Sequence, residues 1–280
     1  MVPVRNAADT IADCVDSLLA LDYPSDDFEV LVVDNASTDR TPAILERYAD
    51  RVRLLHEPSP GPSHARNAGV RHARGDVIAF TDSDCRVDQS WLAEIIPAVR
   101  DGGVGMAGGP ILAVQPCNYV ERFGEAIHDH ERAITTWVPP YVITANCAAK
   151  KSTLDAIGGF DPAFPRSQDA DLSFRLWGAG YPLVFVGGAI VYHRNERTLR
   201  GLMREGFQHG FWSVPLFERH RSLPGAGTRI DLRQYWRLAV NLPRSVRGPD
   251  RLEARCVSAF HLGKAAGKAL GSVRFRTLRL

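Results

Sequence analysis

Short apolar runs alternate with segments of helical periodicity over the first 81 residues, and this alternation constrains the fold most. The run Val30-Leu31-Val32-Val33 is continuous and rich in β-branched residues, as expected of a strand covered on both faces. Further strand-like runs follow at 52–55 and 77–81, each after a segment with helical spacing or cap residues. This order predicts an α/β fold with a mostly parallel sheet flanked by helices.

Size and composition are those of a globular protein with a sizeable core. The chain has 280 residues, 45% of them hydrophobic, with 34 Lys and Arg against 32 Asp and Glu. Its five cysteines are scattered without metal-ligand spacing, which predicts reduced thiols. The sequence has neither a membrane-spanning apolar stretch nor a signal-peptide pattern. We therefore expect a cytoplasmic protein, soluble or at most peripheral on the inner face of the membrane.

Carboxylates follow two of the predicted strands. Asp34 comes after Val33, and the pair Asp82 and Asp84 comes after Thr81. Ligands of open α/β sheets bind at the carboxyl ends of strands, so we expect these side chains to share a crevice. Two carboxylates one residue apart repel each other, and a divalent cation relieves this repulsion. The alternative is structural, because acidic residues commonly end strands and begin turns.

Six motifs in a fixed order decide between these interpretations. They are "PVRNAADTIADCVDSL" (3–18), "VLVVDNASTDRT" (30–41), "GPSHARNAGVRHARGDVIAFTDSD" (61–84), "IGGFDPAF" (157–164), "QDADLSFRLWGAGY" (168–181) and "VYHRN" (191–195). Together they resemble the successive motifs of the inverting family 2 glycosyltransferases. The resemblance implies the GT-A fold, a Rossmann-like, mostly parallel sheet flanked by helices. It covers about residues 2 to 195.

The resemblance implies a binding site for a nucleotide-sugar donor, with UDP as the expected nucleotide. Pro3, Arg5 and Asn6 match positions that hold the nucleotide. Asp34 matches a residue that accepts a hydrogen bond from the uracil or the ribose, and Arg66 matches a basic residue that binds the donor.

The resemblance also implies a Mn²⁺ or Mg²⁺ site and a catalytic base. Asp82 and Ser83 match donor-binding positions, whereas Asp84 and His193 match metal ligands, and metal neutralises charge on the leaving phosphate. Asp169 matches the general base that takes the proton of the acceptor hydroxyl. Attack from the face opposite the leaving group inverts the anomeric carbon.

Each of these assignments has a structural alternative. Asp169 and Asp171 both precede a predicted helix and either could cap it, and we assign Asp171 the capping or structural role. A lone histidine such as His193 is often satisfied by a neighbouring residue rather than by a metal. The segment from 108 to 146, where we expect the acceptor to bind, carries no interpretable motif.

The resemblance and the charge distribution divide the chain in two. Residues 1–195 are the predicted GT-A catalytic domain, with a truncated first strand because only Met1 and Val2 precede Pro3. We expect the native chain to begin upstream or to be clipped. Residues 196–280 are a predicted helical, basic extension, in which nine Lys and Arg stand against two acids from Arg244 to the end.

The C-terminal extension has two interpretations. Apolar residues recur at helical spacing from Leu199 to Val214, and Pro215 should end that helix. The helix packs on the protein, or it lies in an anionic membrane surface through Phe207, Phe211 and Trp212. Glycines repeat every four residues farther along, which predicts close helix packing within the protein, at Gly263, Gly267 and Gly271.

The predicted partners are a nucleotide-sugar donor and a sugar, lipid-linked or small-molecule acceptor. Nucleic acid is not expected, since the arginines are dispersed and no nucleic-acid module is visible. One alternative is a non-catalytic protein that binds a nucleotide sugar or a membrane surface. Another is a sugar-1-phosphate nucleotidyltransferase, but "VPVRNAADT" lacks the glycine-rich loop expected after its first strand.

Overall fold

The structure, a computed structural model, describes residues 1–100, 103–225, 227, 230–247 and 249–280. The chain divides into two units, an α/β unit of Met1–Val114 and Asp129–Arg194, and a helical unit of Gln115–His128 and Asn195–Leu280. The predicted boundary after residue 195 stays a prediction. The segment Gln115–His128, which the sequence placed in the first domain, groups with the C-terminal helices.

The secondary structure alternates strands and helices, and two short 3₁₀ turns at Ser25–Asp27 and Glu46–Tyr48 complete it. The elements in chain order are β1 (Val2–Val4), α1 (Ile11–Leu19), β2 (Leu31–Asp34), α2 (Thr41–Leu45), β3 (Arg53–His56), α3 (Pro62–His72), β4 (Val77–Thr81), β5 (Cys85–Val87), α4 (Trp91–Arg100), β6 (Met106–Gly108), β7 (Ile111–Ala113), α5 (Tyr119–Ile127), α6 (His130–Thr135), β8 (Asn146–Lys150), α7 (Lys151–Ala156), α8 (Gln168–Gly178), β9 (Leu183–Phe185), β10 (Val191–His193), α9 (Leu199–His220), α10 (Leu232–Val246) and α11 (Arg251–Phe275).

The main sheet has a three-stranded parallel part and a four-stranded mixed part, which Met1 joins. Strands β1, β2 and β3 pair in parallel, and the backbone of Met1 exchanges hydrogen bonds with Ala79 and Thr81 of β4. Strand β8 pairs antiparallel with both β4 and β6, and β6 pairs in parallel with β9. A smaller sheet has the order β5-β10-β7. The predicted α/β class with a parallel-rich sheet is confirmed.

Strand β2 is buried on both faces, as its continuous apolar run predicts. Val32 points into one hydrophobic cluster, and Leu31 and Val33 point into a second one. Side chains of a strand alternate between its two faces, so β2 joins both clusters. Asp34 ends this strand and emerges at the carboxyl edge of the sheet.

The helical unit rests on close packing of α9 against α11. A Cβ added at Gly206 or Gly210 of α9 would overlap backbone atoms of α11, and one added at Gly263 or Gly267 would overlap the backbone of α9. The predicted helix packing of the glycine repeat is therefore confirmed. No helix in the described ranges is long and apolar enough to cross a membrane.

One prediction for α9 needs correction. Pro215 does not end the helix, which continues to His220. Packing against α11 along its length outweighs the hydrogen bond that proline removes. Of the two interpretations of α9, the structure favours packing on the protein, because the half-buried rings of Phe211 and Trp212 lie 5.2 Å and 5.8 Å from that of Phe275.

Candidate active site

Two strands of the smaller sheet bring the predicted metal ligands together. Asp84 lies in the turn between β4 and β5, and β10 runs antiparallel to β5 with His193 opposite Cys85. The His193 Nε2 atom is 3.6 Å from Asp84 Oδ2. The Cys85 Sγ atom belongs to the same group, whose ligand atoms all lie within 4.8 Å of one another. Sequence reasoning missed Cys85, although it directly follows Asp84.

The donor set fits a divalent transition metal. A carboxylate oxygen suits hard cations such as Mn²⁺ and Mg²⁺, and an imidazole nitrogen favours a transition metal over Mg²⁺. The thiol of Cys85 is less suited than these groups to bind the metal, because it loses its proton less readily. Burial raises its pKa well above the ordinary value, and Asp84 and Asp82 raise it further. Asp84 and His193 are thus the residues best suited to hold Mn²⁺.

An ion pair with a buried guanidinium stands beside this group. The Arg66 Nη2 atom donates to Asp82 Oδ1 at 2.6 Å, and the Arg66 side chain is only 3% exposed. The guanidinium carbon lies 5.7 Å from the centre of the Phe160 ring. The Nε and Nη1 atoms of Arg66 have no hydrogen-bond partner in the described part of the chain. A buried cation with unused donors can bind an anion.

Asp169 is the second residue of α8 and accepts a hydrogen bond of 2.8 Å from the Ala170 amide. Although it is only half-buried by surface area, densely packed surroundings raise the pKa of the carboxyl. Arg66 lowers this pKa and Asp82 raises it further, so Asp169 feels the charges of the neighbouring ion pair. Burial raises the pKa of Tyr141, and the negative charge of Asp169 raises it further, so this tyrosine lies near the carboxylate.

Asp171 has a structural role, but not as a helix cap. The N-cap of α8 is Ser167, whereas the fully buried Asp171 binds Arg175 with an Nε–Oδ2 distance of 2.9 Å. Arg175 also donates to the carbonyls of Ile157 and Gly159. The Asp171–Arg175 pair thus fixes α8 to the "GGFD" loop, residues 158–161.

The same loop is held from its other side by α3. Asn67 donates to the carbonyl of Phe160 at 2.7 Å and accepts from its amide at 2.9 Å. Gly159 has a φ of +66°, and a Cβ there would lie 2.7 Å from Asn67 Oδ1. The glycine is required for the close approach of Asn67. The loop therefore holds Phe160 against Arg66.

Polar side chains gather at the carboxyl ends of β1 and β2. Asp34 Oδ2 is 3.3 Å from His56 Nδ1, and its Oδ1 accepts from the Ser37 amide at 3.4 Å. The Asn6 side chain accepts from the Thr38 amide at 2.8 Å. His56 was missed from the sequence, yet it ends β3 directly opposite Asp34.

The other predicted donor-binding residues lie along the same edge. Pro3 is half-buried in β1 opposite Val33 of β2. Arg5 is exposed after the end of β1, and Ser83 is half-buried in the turn between Asp82 and Asp84. Arg5 and Ser83 thus follow the ends of β1 and β4, whereas Pro3 lies within β1, and the roles of all three remain proposals.

Comparisons with known proteins agree with this architecture. A mannosyltransferase from Pyrobaculum calidifontis, solved with GDP-Man and Mn²⁺, superimposes with a TM-score of 0.71 at 22% identity over 96% of this chain and 85% of that one. S. aureus TarS in complex with UDP-GlcNAc superimposes with a TM-score of 0.55 at 16% identity, over 99% of this chain and 91% of the other. These likenesses confirm the predicted GT-A fold.

Sequence relatives are glycosyltransferases as well. The glycosyltransferase AglE of Haloferax volcanii is 27% identical over 86% of this chain and 78% of its own length. The pre-mycofactocin glycosyltransferase of Mycobacterium tuberculosis is 31% identical over 79% of this chain, which spans about half (47%) of that longer protein. The model of the family named glycosyl transferase family 2 matches residues 1–161. The chain therefore belongs to family 2 of the glycosyltransferases and is a glycosyltransferase.

Proposed function

We propose that the protein transfers a sugar from a nucleotide diphosphate, with UDP as the first candidate, to an acceptor hydroxyl. The reaction would invert the anomeric carbon and would use Mn²⁺. The observation that carries this proposal is the pairing of Asp84 and His193, 3.6 Å apart, beside the Arg66–Asp82 ion pair. Solved neighbours bound to GDP-Man with Mn²⁺ and to UDP-GlcNAc support a nucleotide-sugar donor.

The donor diphosphate would lie between the metal ligands and Arg66. Mn²⁺ held by Asp84 and His193 would neutralise the negative charge that develops on the leaving diphosphate. The unused Nε and Nη1 donors of Arg66 would bind phosphate oxygens, and the ion pair would hold Asp82 in one orientation toward the ribose. Asp34 and Asn6 would bind the nucleoside at the ends of β2 and β1.

Asp169 would remove the proton of the acceptor hydroxyl. Its raised pKa makes it a stronger base than an ordinary aspartate, which favours proton transfer. Attack from the side opposite the leaving group turns an α-linked donor into a β-linked product. The acceptor would be a sugar, a lipid-linked saccharide or a small molecule. Membership of family 2 favours this reaction over the nucleotidyltransferase and non-catalytic alternatives.

Calorimetric titration of UDP with and without Mn²⁺ tests the proposal. We expect UDP binding to need Mn²⁺, and expect Asp84→Ala and His193→Ala each to weaken it by about tenfold or more, since each removes one ligand. Asp26→Ala, which removes an exposed acid elsewhere in the unit, is the matched control and should bind normally.

The outcomes separate the parts of the proposal. Equal UDP binding in the presence of EDTA would overturn the metal's role. Metal-dependent binding of GDP instead of UDP would change only the nucleobase of the proposed donor. Wild-type affinity in both ligand variants would exclude this pair as the metal site.

A further inference from the structure

Helix α10 carries an apolar stripe that faces solvent. Its members recur at spacings of three and four residues, so they lie along one side of the helix. They are Leu232, Tyr235, Trp236, Ala239, Leu242 and Val246. The exposed fractions are large, 74% for Leu232, 67% for Trp236 and 70% for Val246. A stripe of this length is unusual on a surface that contacts only water.

A row of arginines borders the stripe. Arg233, Arg237, Arg244 and Arg247 are all exposed, and at 100° per residue they fall on one flank of the stripe. The sequence from 232 to 247 contains no aspartate or glutamate. The side of α10 that turns away from solvent carries the buried Gln234 and Leu238. The helix therefore has three faces: one buried in the helical unit, one apolar and one cationic.

The stripe is continuous with an apolar groove in the same unit. Leu242 belongs to both, and the groove has a volume of about 360 Å³. It is lined mainly by apolar residues of α9 and α11, among them Leu199, Met203, Ala259 and Leu262. Arg200 and Arg255 also line it. Apolar surface bordered by cations thus extends from α10 across the neighbouring helices.

We propose that the helical unit docks on the surface of an anionic lipid bilayer through α10. The apolar stripe would enter the boundary between headgroups and acyl chains, and the arginine row would bind lipid phosphates. Trp236 and Tyr235 combine an apolar ring with a polar group and suit this depth. An arginine row without any acid matches an anionic surface in charge, and this favours a bilayer over a protein with mixed charges.

The proposed docking element is α10, whereas the sequence pointed to α9. The aromatic residues of α9 are used for packing, whereas those of α10 are exposed. Docking through α10 needs no spanning helix and does not rest on the proposed sugar transfer.

Co-sedimentation of the full chain with vesicles tests the inference. We expect binding to phosphatidylcholine vesicles that contain phosphatidylglycerol, and weak binding to phosphatidylcholine alone. Arg244→Gln with Arg247→Gln should weaken the binding by roughly fivefold for each arginine. Arg40→Gln with Arg100→Gln, which removes the same charge from exposed positions of the α/β unit, should bind like the wild type.

A second pair of variants tests the apolar stripe. Leu232→Ser with Trp236→Ser should lower vesicle binding by about tenfold or more, since both side chains would enter the lipid. Circular dichroism checks that the variants are folded, which is expected because both positions are exposed.

Three results would overturn the inference. One is the absence of binding to anionic vesicles. Another is an equal loss of vesicle binding in the control variant Arg40→Gln with Arg100→Gln. This would show that only the net charge of the protein matters. The third is a dimer in sedimentation velocity that becomes a monomer in the variant Leu232→Ser with Trp236→Ser, together with no binding to vesicles. This result would assign the stripe to a second copy of the chain.

Discussion

At the scale of single residues, one buried guanidinium organises the charges of the candidate site. Arg66 binds Asp82 at 2.6 Å and lowers the pKa of Asp169, while burial and Asp82 raise it. The net result is a carboxyl whose pKa is raised. Such a group holds its proton more tightly in the folded chain than in the unfolded one. Any stability from this difference is present at low pH and is lost as the pH rises through the folded pKa.

Asp169→Asn should therefore separate activity from stability. We expect turnover to fall by about 10²–10⁴-fold, because the base is lost, while the free energy of unfolding at neutral pH does not decrease. In the wild type, turnover should fall on acidification at a higher pH than an ordinary aspartate would give. Steady-state kinetics against pH, together with urea unfolding, measures both effects.

Asp171→Asn is the matched control for this change, two residues away on the same helix. It removes the carboxylate partner of Arg175, so stability should fall by about 1.5–3 kcal/mol, the usual contribution of a hydrogen bond to a charged group. A variant Asp169→Asn with normal turnover would exclude Asp169 as the base.

The sequence was sufficient for the residues at strand ends and insufficient for their partners. Asp84 and His193 could be paired because motif order placed both at the ends of strands. Cys85 and His56 were missed because their positions depend on strand register, which pairs residues far apart in the chain. The pairing of Asp171 with Arg175 was hidden by the equally plausible role of a helix cap.

At the scale of elements, one imidazole joins three segments that the sequence left without interpretation. His130 at the start of α6 donates from Nδ1 to the Gly109 carbonyl at 2.7 Å, and its Nε2 accepts from the Ile143 amide at 2.8 Å. This requires the neutral ring, and burial lowers the His130 pKa to about 4. Local patterns do not reveal such a contact, just as they did not reveal that packing carries α9 past Pro215.

His130 should make the fold sensitive to acid. Its folded pKa lies below the unfolded value of 6.5, so the unfolded chain binds more protons and stability falls as the pH drops from about 6.5 toward 4. At about 1.4 kcal/mol per pKa unit, the loss is about 3 kcal/mol at most. Urea unfolding of the wild type against pH measures it.

Two histidine variants assign this acid sensitivity. His130→Gln should be less stable at neutral pH and should lose less stability on acidification. His72→Gln, at an exposed histidine, is the matched control. An unchanged slope in His130→Gln would show that other groups cause the acid sensitivity.

At the scale of the whole molecule, the chain forms two units with separate cores. The α/β unit holds the two large hydrophobic clusters, and the helical unit holds a smaller one together with the glycine contact of α9 and α11. The sequence predicted a catalytic α/β region and a helical extension. It did not predict that Gln115–His128 groups with the extension, because nothing local marks α5 as a partner of helices much later in the chain.

Gly267→Ala should destabilise the helical unit. The added methyl group would overlap the Phe207 carbonyl, and overpacking of this kind costs about 1–3 kcal/mol. Thermal unfolding followed by circular dichroism should show a lower midpoint. Titration with UDP and Mn²⁺ should be unchanged, because all the proposed ligands lie in the α/β unit.

Gly103→Ala is the control for this substitution. A Cβ at Gly103 meets no atom within 4 Å, so the midpoint should stay at the wild-type value. Equal midpoints in the two variants would contradict the close contact of α9 with α11.

The split composition of the helical unit has a consequence for biosynthesis. The apolar residues of α5 pack against Leu202, Cys256 and Ala259, and the ribosome adds Cys256 roughly 130 residues after the end of α5. At typical rates of translation this interval is on the order of ten seconds. Until Cys256 and Ala259 are synthesised, the apolar side of α5 lacks its partners on α11. The helical unit therefore completes its fold only after these residues have been made, and a chaperone that binds exposed apolar segments would bind α5 during this interval.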